Sequence, residues 1–133
     1  MTEDKPPTPQ LAKLGIIPGA RWHIDSRPSD WSFEVKPDAT CEAQTGAEAD
    51  VLLAFVTSAD EIAPALERLE RSIFPAGALW IAWPRKAAGH VSDITDRVVR
   101  DAALARSLVD TKVAAIDADW SGLKLVWRLS ART

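Results

Sequence analysis

The sequence predicts an α/β fold, with a single doubly wound, mostly parallel sheet and an antiparallel hairpin at the C-terminal end of the chain. Residues 51–56 and 78–83 are apolar on both faces, which is typical of central strands that helices cover on both sides. A helical pattern follows each of these segments, and two further strand patterns close the chain. This order of elements favours a sheet with helices on both faces.

The composition indicates a single globular domain, which we place at residues 10–133. Of the 133 residues, 47% are apolar and 26% are charged, an ordinary balance for a packed domain. Residues 1–9 are polar and rich in proline, and they predict a flexible tail without the apolar core of a signal peptide. No apolar run approaches the roughly 20 residues of a membrane span, so we expect a cytoplasmic protein that does not enter a membrane.

Charge and cysteine content argue against several classes of function. The formal net charge of -3 argues against general nucleic-acid binding, which needs a basic face to neutralise phosphates. Cys41 is the only cysteine, so the chain forms neither an intrachain disulfide nor a zinc site of several thiolates. We therefore expect no resident metal.

The predicted elements of the first half are short. Residues 10–14 predict a helix that a glycine ends, and residues 21–25 predict a strand. Residues 31–35 and 40–44 have weaker strand patterns. The sequence does not decide whether residues 26–48 as a whole form strand, loop or a mixture of both.

The predicted elements of the second half are longer. A helix capped by Thr57 or Ser58 is predicted to reach residue 73, with one apolar face. A second helix is predicted for residues 93–107. The chain then closes with two strands, residues 111–116 and 123–128.

Part of the chain resembles a known class of folds. Residues 49–56, the helical segment after them and residues 74–81 resemble the fourth strand, the helix and the fifth strand of Rossmann-like methyltransferases. The closing hairpin is similar to the sixth and seventh strands of that fold. The resemblance covers roughly the last two-thirds of the chain and implies a Rossmann-like fold.

A second resemblance spans nearly the whole chain. Three segments, residues 11–19, 77–86 and 120–124, resemble a family of small bacterial proteins of unknown function; the longest of them is Gly77-Ala-Leu-Trp-Ile-Ala-Trp-Pro-Arg-Lys86. This resemblance implies a Rossmann-like fold and a bacterial source, and it implies no reaction.

The chain departs from the methyltransferase pattern in the turn after the first strand. Those enzymes need a Gly-rich turn there, so that the backbone is able to approach the cofactor. Here the segment is Ile24-Asp-Ser-Arg-Pro-Ser29, which has no glycine and contains a rigid proline. We therefore predict a degenerate Rossmann-like domain that holds neither S-adenosylmethionine nor another cofactor.

Four residues form a candidate ligand site. Arg85 and Lys86 leave a central strand at the edge where open α/β folds usually bind ligands, and Ser92 lies near the start of the next helix. With Trp120 beside them, these residues suit an anionic metabolite or a nucleotide, held by its phosphate or carboxylate. The alternative is a solvated basic pair beside a helix end that Asp93 already caps.

No catalytic residue is predicted. His90 lies in the same loop and is chemically able to act as an acid or base, but a lone histidine is more typical of a surface. His23 and Cys41 lack the local signature of an activated nucleophile. Asp117 and Asp119 suit either a hard cation or, more simply, a turn in which carboxylates bond the local backbone.

The six tryptophans lead to the first functional hypothesis. Trp80 and Trp83 point to opposite faces of one strand and are expected to fill the core. Trp31, Trp120 and Trp127 lie at loop or edge positions, where we expect exposed side chains of the kind that protein interfaces use. This favours a non-catalytic domain that acts by association, as a homo-oligomer or with a protein partner. The alternative is a small enzyme or sensor that binds the anionic ligand; the sequence leaves enzyme activity open and favours its absence.

Overall fold

The computed structural model describes residues 9–34, 36–37, 40–44 and 46–132. The predicted tail therefore lies outside the described residues, apart from Pro9, which begins a helix. The described α-helices are α1 Pro9–Leu14, α2 Ile62–Leu69 and α3 Asp96–Leu104. The described strands are β1 Arg21–Asp25, β2 Cys41–Glu42, β3 Val51–Phe55, β4 Ala78–Pro84, β5 Leu108–Ala115 and β6 Trp120–Trp127.

The six strands form one mixed sheet in the order β2, β1, β3, β4, β6, β5. The first four in this order run parallel, and β6 runs antiparallel to both β4 and β5. The predicted fold is confirmed: a mostly parallel, Rossmann-like sheet with an antiparallel C-terminal hairpin.

The chain order creates a switch point between β1 and β3. After β1 the chain continues to β2 on one side, and it then returns past β1 to β3 on the other side. The connections that leave these two neighbouring strands therefore run in opposite directions. In open α/β sheets a crevice for ligands forms at such a point, on the carboxyl edge where the parallel strands end.

The core fills both faces of the sheet. Trp80 packs on the face that α1 covers, together with Leu14, whose carbonyl oxygen accepts a hydrogen bond from the Trp80 indole at 3.1 Å. Trp83 packs on the face that α2 and α3 cover. The exposed fractions of the two indole side chains are 0% and 6%, so their predicted core role on opposite faces is confirmed.

The predicted helices differ in extent from the observed ones. The helix expected to reach residue 73 is α2, flanked by short 3-10 helices, Ala59–Glu61 and Glu70–Ile73. The helix expected at residues 93–107 is the shorter α3. In the part of the chain that the structure describes, no helix is long and apolar enough to cross a membrane.

Thr95, and not Asp93, caps α3. The Thr95 hydroxyl oxygen accepts a hydrogen bond from the backbone N–H of Val98 at 3.3 Å, so the predicted cap is wrong by two residues. The Asp93 carboxylate instead accepts the backbone N–H of Ala59 at 3.0 Å, in the 3-10 turn before α2. The loop before α3 is thereby tied to the start of the neighbouring helix.

Only one of the two weak strand patterns forms a strand. Residues 31–34 form none, so that prediction is wrong where the structure describes it. These residues serve packing instead, because the Phe33 ring contacts Trp22 and Trp31 edge to face, with centroids 5.2 and 5.1 Å away. The pattern at residues 40–44 is confirmed in part, as the two-residue strand β2.

Candidate ligand site

An open cavity of about 570 Å³ lies at the carboxyl edge, where β1 and β3 end. We call it the switch cavity. Five segments line it: the turn after β1, the end of β3 with the residues that follow, the 3-10 helix Ala59–Glu61, α2 and the start of β6. The lining residues that matter below are Ser26, Phe55, Thr57, Asp60, Glu61, Arg68 and Trp120. The volume lies within the usual range for small-molecule sites, roughly 300–1,000 Å³.

Phe55 and Trp120 form an aromatic wall of the switch cavity. Their ring centroids are 4.8 Å apart and their planes are perpendicular, at 90°. Trp31 supports Phe55 from behind, with centroids 4.9 Å apart. Trp120 is half-buried, and its indole N–H donates no hydrogen bond to any residue that the structure describes. The wall therefore offers an apolar surface together with an open hydrogen-bond donor.

Arg68 reaches from α2 to the end of β1. Its Nη2 atom lies 2.6 Å from the Asp25 carboxylate, and the Ser26 hydroxyl donates to the same oxygen at 3.0 Å. The hydrogen bond from Arg68 to Asp25 raises the pKa of Arg68, while partial burial acts in the opposite direction. The guanidinium group therefore stays charged, and its charge is compensated locally by Asp25.

Acidic groups border the cavity beside α2. The Glu61 carboxylate accepts the backbone N–H of Thr57 at 2.8 Å and the Thr57 hydroxyl at 3.4 Å. Asp60 and Glu61 are both exposed and both line the cavity. The cavity therefore presents carboxylates, a compensated cation and an aromatic wall at the same edge of the sheet.

Ser26 adopts a backbone conformation that residues other than glycine rarely adopt. Its φ is 58°, in the left-handed region, in the turn directly after β1. The residue with this conformation is a serine, in the turn where the methyltransferase resemblance would place glycine. Left-handed backbone at a non-glycine residue is strained by about 1–3 kcal/mol and is concentrated at functional sites.

Asp117 fixes the hairpin that carries Trp120. One carboxylate oxygen accepts the backbone N–H groups of Asp119 and Trp120, at 2.8 and 2.9 Å. The other accepts the indole N–H of Trp31 at 2.8 Å. The predicted role of Asp117 in a turn is confirmed, and the same side chain also holds a loop from the first half of the chain.

Arg85 and His90 support this hairpin from the neighbouring loop. The Arg85 guanidinium donates to the carbonyl oxygen of Ala118 at 3.1 Å, and its backbone N–H donates to that of Asp119 at 2.8 Å. His90 Nε2 lies 3.0 Å from the Asp119 carboxylate. His90 is a surface residue with an acidic partner in the turn of the hairpin.

The structure separates the four residues of the predicted ligand site. Arg85 and Lys86 stay together and line a second cavity, of about 390 Å³, at the end of β4. Trp120 lines the switch cavity instead. The Ser92 hydroxyl accepts the backbone N–H of Ile94 at 3.1 Å, a local turn contact.

Sequence reasoning missed the other residues of the switch cavity. Ser26 and Thr57 follow strands whose carboxyl ends meet at the switch point, so the order of the strands would have indicated both. Nothing in the sequence around Arg68 indicated a role in a cavity, because this residue lies on a helix among other charged residues.

The expected exposure of three tryptophans is wrong for two of them. Trp31 and Trp127 have exposed fractions of 7% and 9%. Their indole N–H groups donate to the Asp117 carboxylate and to the Glu70 carbonyl oxygen, at 2.8 and 2.9 Å. Only Trp120 of the three keeps substantial exposed surface, and that surface faces the switch cavity.

Comparison with known proteins agrees with the fold. No protein-family model matches the chain, and no curated protein matches it in sequence. Among solved structures, the chain is similar to the antibiotic-resistance methyltransferase Kmr, with a TM-score of 0.43 and 16% identity over 86% of this chain and 89% of that chain. It is also similar to a protein of the NADB-Rossmann superfamily from Streptococcus agalactiae, with a TM-score of 0.54 and 11% identity over 94% of this chain and 70% of that chain. The second similarity shows a Rossmann-like fold, which by itself carries no function.

Proposed function

We propose that this protein binds a small heteroaromatic molecule in the switch cavity. The observation that carries the proposal is the aromatic wall of Phe55 and Trp120, which lies at the switch point and keeps an indole N–H without an acceptor among the described residues. A flat ligand would pack against the wall, and an acceptor on its edge would receive the Trp120 N–H. A ligand packed on the wall would remove this N–H from water, and tryptophan N–H groups without access to water usually have such a partner.

The polar groups of the cavity narrow the ligand class. Exposed Asp60 and Glu61 suit amino or ring N–H donors. Arg68 is already paired with Asp25, so it offers little net attraction to an anion. The turn at Ser26 lacks the glycines that let a backbone cradle a diphosphate. We therefore expect a neutral or cationic compound, and we expect S-adenosylmethionine and dinucleotides not to bind.

A thermal-shift and fluorescence titration tests this proposal. The probes are nucleosides, pterins and aromatic amines, with S-adenosylmethionine and NAD as probes expected to fail. A ligand present at 100 times its Kd is expected to stabilise the fold by about 2.7 kcal/mol and to raise Tm accordingly. Binding should also quench the fluorescence of Trp120, the tryptophan that faces the cavity.

The matched variants are Trp120→Ala and Trp120→Phe. Loss of the ring should weaken binding by about 5-fold to 150-fold, since aromatic stacking on a base contributes about 1–3 kcal/mol. Phenylalanine keeps a flat surface without the N–H, so it should recover part of the affinity. Leu129→Ala, at an exposed position with a 76% exposed side chain outside the cavity, serves as the control. The proposal would be refuted if none of these probes raised Tm, or if Trp120→Ala bound a probe as tightly as the unmodified protein does.

Association with another protein is a second candidate function. Its supporting observation is β5, an eight-residue strand at the end of the sheet order, where Val113 is 53% exposed. An edge strand is able to pair with a strand of another chain. Light scattering should then give the mass of an oligomer that Val113→Glu dissociates, while Leu129→Glu does not. A monomer at high concentration would remove the support for self-association.

A further inference from the structure

A second cavity lies at the end of β4, on the face of the sheet that α3 covers. We call it the β4 cavity. Its volume is about 390 Å³, and the residues that matter are Trp83, Arg85, Lys86, Ile94, Thr95 and Ser121. None of these six lines the switch cavity, so the two cavities are separate sites.

Trp83 lines the β4 cavity with an unused hydrogen-bond donor. Its side chain is only 6% exposed, and its indole N–H donates to no residue that the structure describes. Four other tryptophans donate their N–H groups, at 2.8–3.1 Å, to oxygen atoms of Thr40, Asp117, Leu14 and Glu70. A buried N–H group without an acceptor destabilises the folded state. Because Trp83 lines a cavity, its N–H indicates that a ligand bound there supplies the acceptor.

The charges around the β4 cavity favour an anion. Lys86 is exposed and makes no ion pair within the described residues. The Nη1 atom of Arg85 donates to the backbone of the hairpin, and the guanidinium has further N–H donors on its other nitrogens. The one carboxylate in the lining, Asp96, lies 3.1 Å from Arg100, which compensates its charge. Hydrogen bonds to Asp110 and Asp96 raise the pKa of Arg100, so this compensation persists at any physiological pH.

We infer that the β4 cavity binds an oxyanion, a phosphate or carboxylate group, whose oxygen accepts the Trp83 indole N–H and whose charge Lys86 and Arg85 balance. Thr95 and Asp96 of the cavity lining lie at the start of α3, and the N-terminal end of a helix adds a favourable partial charge. The inference does not depend on the heteroaromatic ligand of the switch cavity.

NMR of the indole N–H groups tests the inference directly. The protein labelled with 15N has six indole resonances, and Trp83→Phe identifies that of Trp83. Inorganic phosphate and sodium acetate are titrated separately, each against sodium chloride at equal ionic strength. We expect a saturable downfield shift of the Trp83 resonance with at least one of the two oxyanions, and the two titrations decide between phosphate and carboxylate. The Trp80 resonance, whose N–H already has an acceptor, should stay in place.

Lys86→Ala is the decisive variant, with Lys36→Ala as its matched control. Both remove one exposed lysine, but Lys36 lines a different cavity. Loss of the Lys86 charge should weaken oxyanion binding by about threefold, the scale of an exposed ion pair, and loss of Lys36 should leave it unchanged. Unchanged dispersion of the other indole resonances confirms that the variants are folded. A shift that does not saturate, that chloride reproduces, or that Lys86→Ala leaves intact would overturn the inference.

Discussion

Single side chains connect distant parts of this chain, and Asp117 is the clearest case. Its carboxylate joins the indole of Trp31, 86 residues away in sequence, to two backbone amides of the closing hairpin. Asp117→Ala leaves the buried Trp31 N–H and those amides without an acceptor. We expect a loss of about 2–3 kcal/mol in the free energy of unfolding, measured by urea denaturation.

Asp119→Ala is the matched control for this prediction. It removes a carboxylate two residues away that is 62% exposed and whose partner is the exposed His90. An exposed ion pair contributes little, so the expected loss is under about 1 kcal/mol. Equal losses in the two variants would show that the Trp31 contact adds no stability.

The tryptophans show where sequence reasoning fails for single residues. The core role of Trp80 and Trp83 was predictable, because the strand around them is apolar on both faces. The burial of Trp31 and Trp127 was not, since each depends on an acceptor far along the chain, Asp117 and Glu70. Exposure inferred from a loop or edge position ignores such contacts.

At the scale of elements, the caps decide where the helices begin. Thr95 caps α3, whereas Asp93 binds the backbone N–H of Ala59. Thr95→Ala should therefore cost about 1 kcal/mol and speed the hydrogen exchange of the Val98 amide. Asp93→Ala should instead speed the exchange of the Ala59 amide and leave Val98 unchanged. Faster exchange of the Val98 amide in Asp93→Ala would show that Asp93 caps α3, as the sequence predicted.

The elements of the second half were predictable because their own residues determine them. Apolar residues recur with helical or strand periods there, and the pattern for β4 matches the observed strand closely. The first half is different. Residues 31–34 have an apolar alternation without being a strand, because Trp31 and Phe33 pack as rings against Phe55 and Trp22. The switch cavity joins residues from both halves, so predicting it requires the order of the strands, which local sequence patterns do not determine.

At the scale of the molecule, Gln10 holds three segments together. It is the one polar side chain among the described residues that is fully buried, at 2% exposure. Its amide nitrogen donates to the Ile116 carbonyl oxygen at 3.0 Å, and its amide oxygen accepts the Glu34 backbone N–H at 2.8 Å. Gln10→Leu should lower the free energy of unfolding by about 2–3 kcal/mol, measured by denaturation. Gln44→Leu, at an exposed glutamine, is the control and should change stability by under about 0.5 kcal/mol.

The sheet as a whole predicts a gradient of local stability from its centre to its ends. β4 is bonded on both sides, by β3 and β6, and its residues from Leu79 to Ala82 are fully buried. β2 has two residues and bonds only to β1. The backbone amides of a fully buried strand that is paired on both sides exchange their hydrogens with solvent only when the whole domain unfolds.

Native-state hydrogen exchange checks this gradient. The opening free energy of the central β4 amides should equal the free energy of unfolding from denaturation, and Gln10→Leu should lower both by the same amount. The β2 amides should open at a lower free energy that Gln10→Leu leaves unchanged, because they exchange through local opening. If the β4 amides opened below the global free energy, the predicted gradient would be wrong. If Gln10→Leu left their opening free energy unchanged, Gln10 would stabilise only its own segment and not the domain.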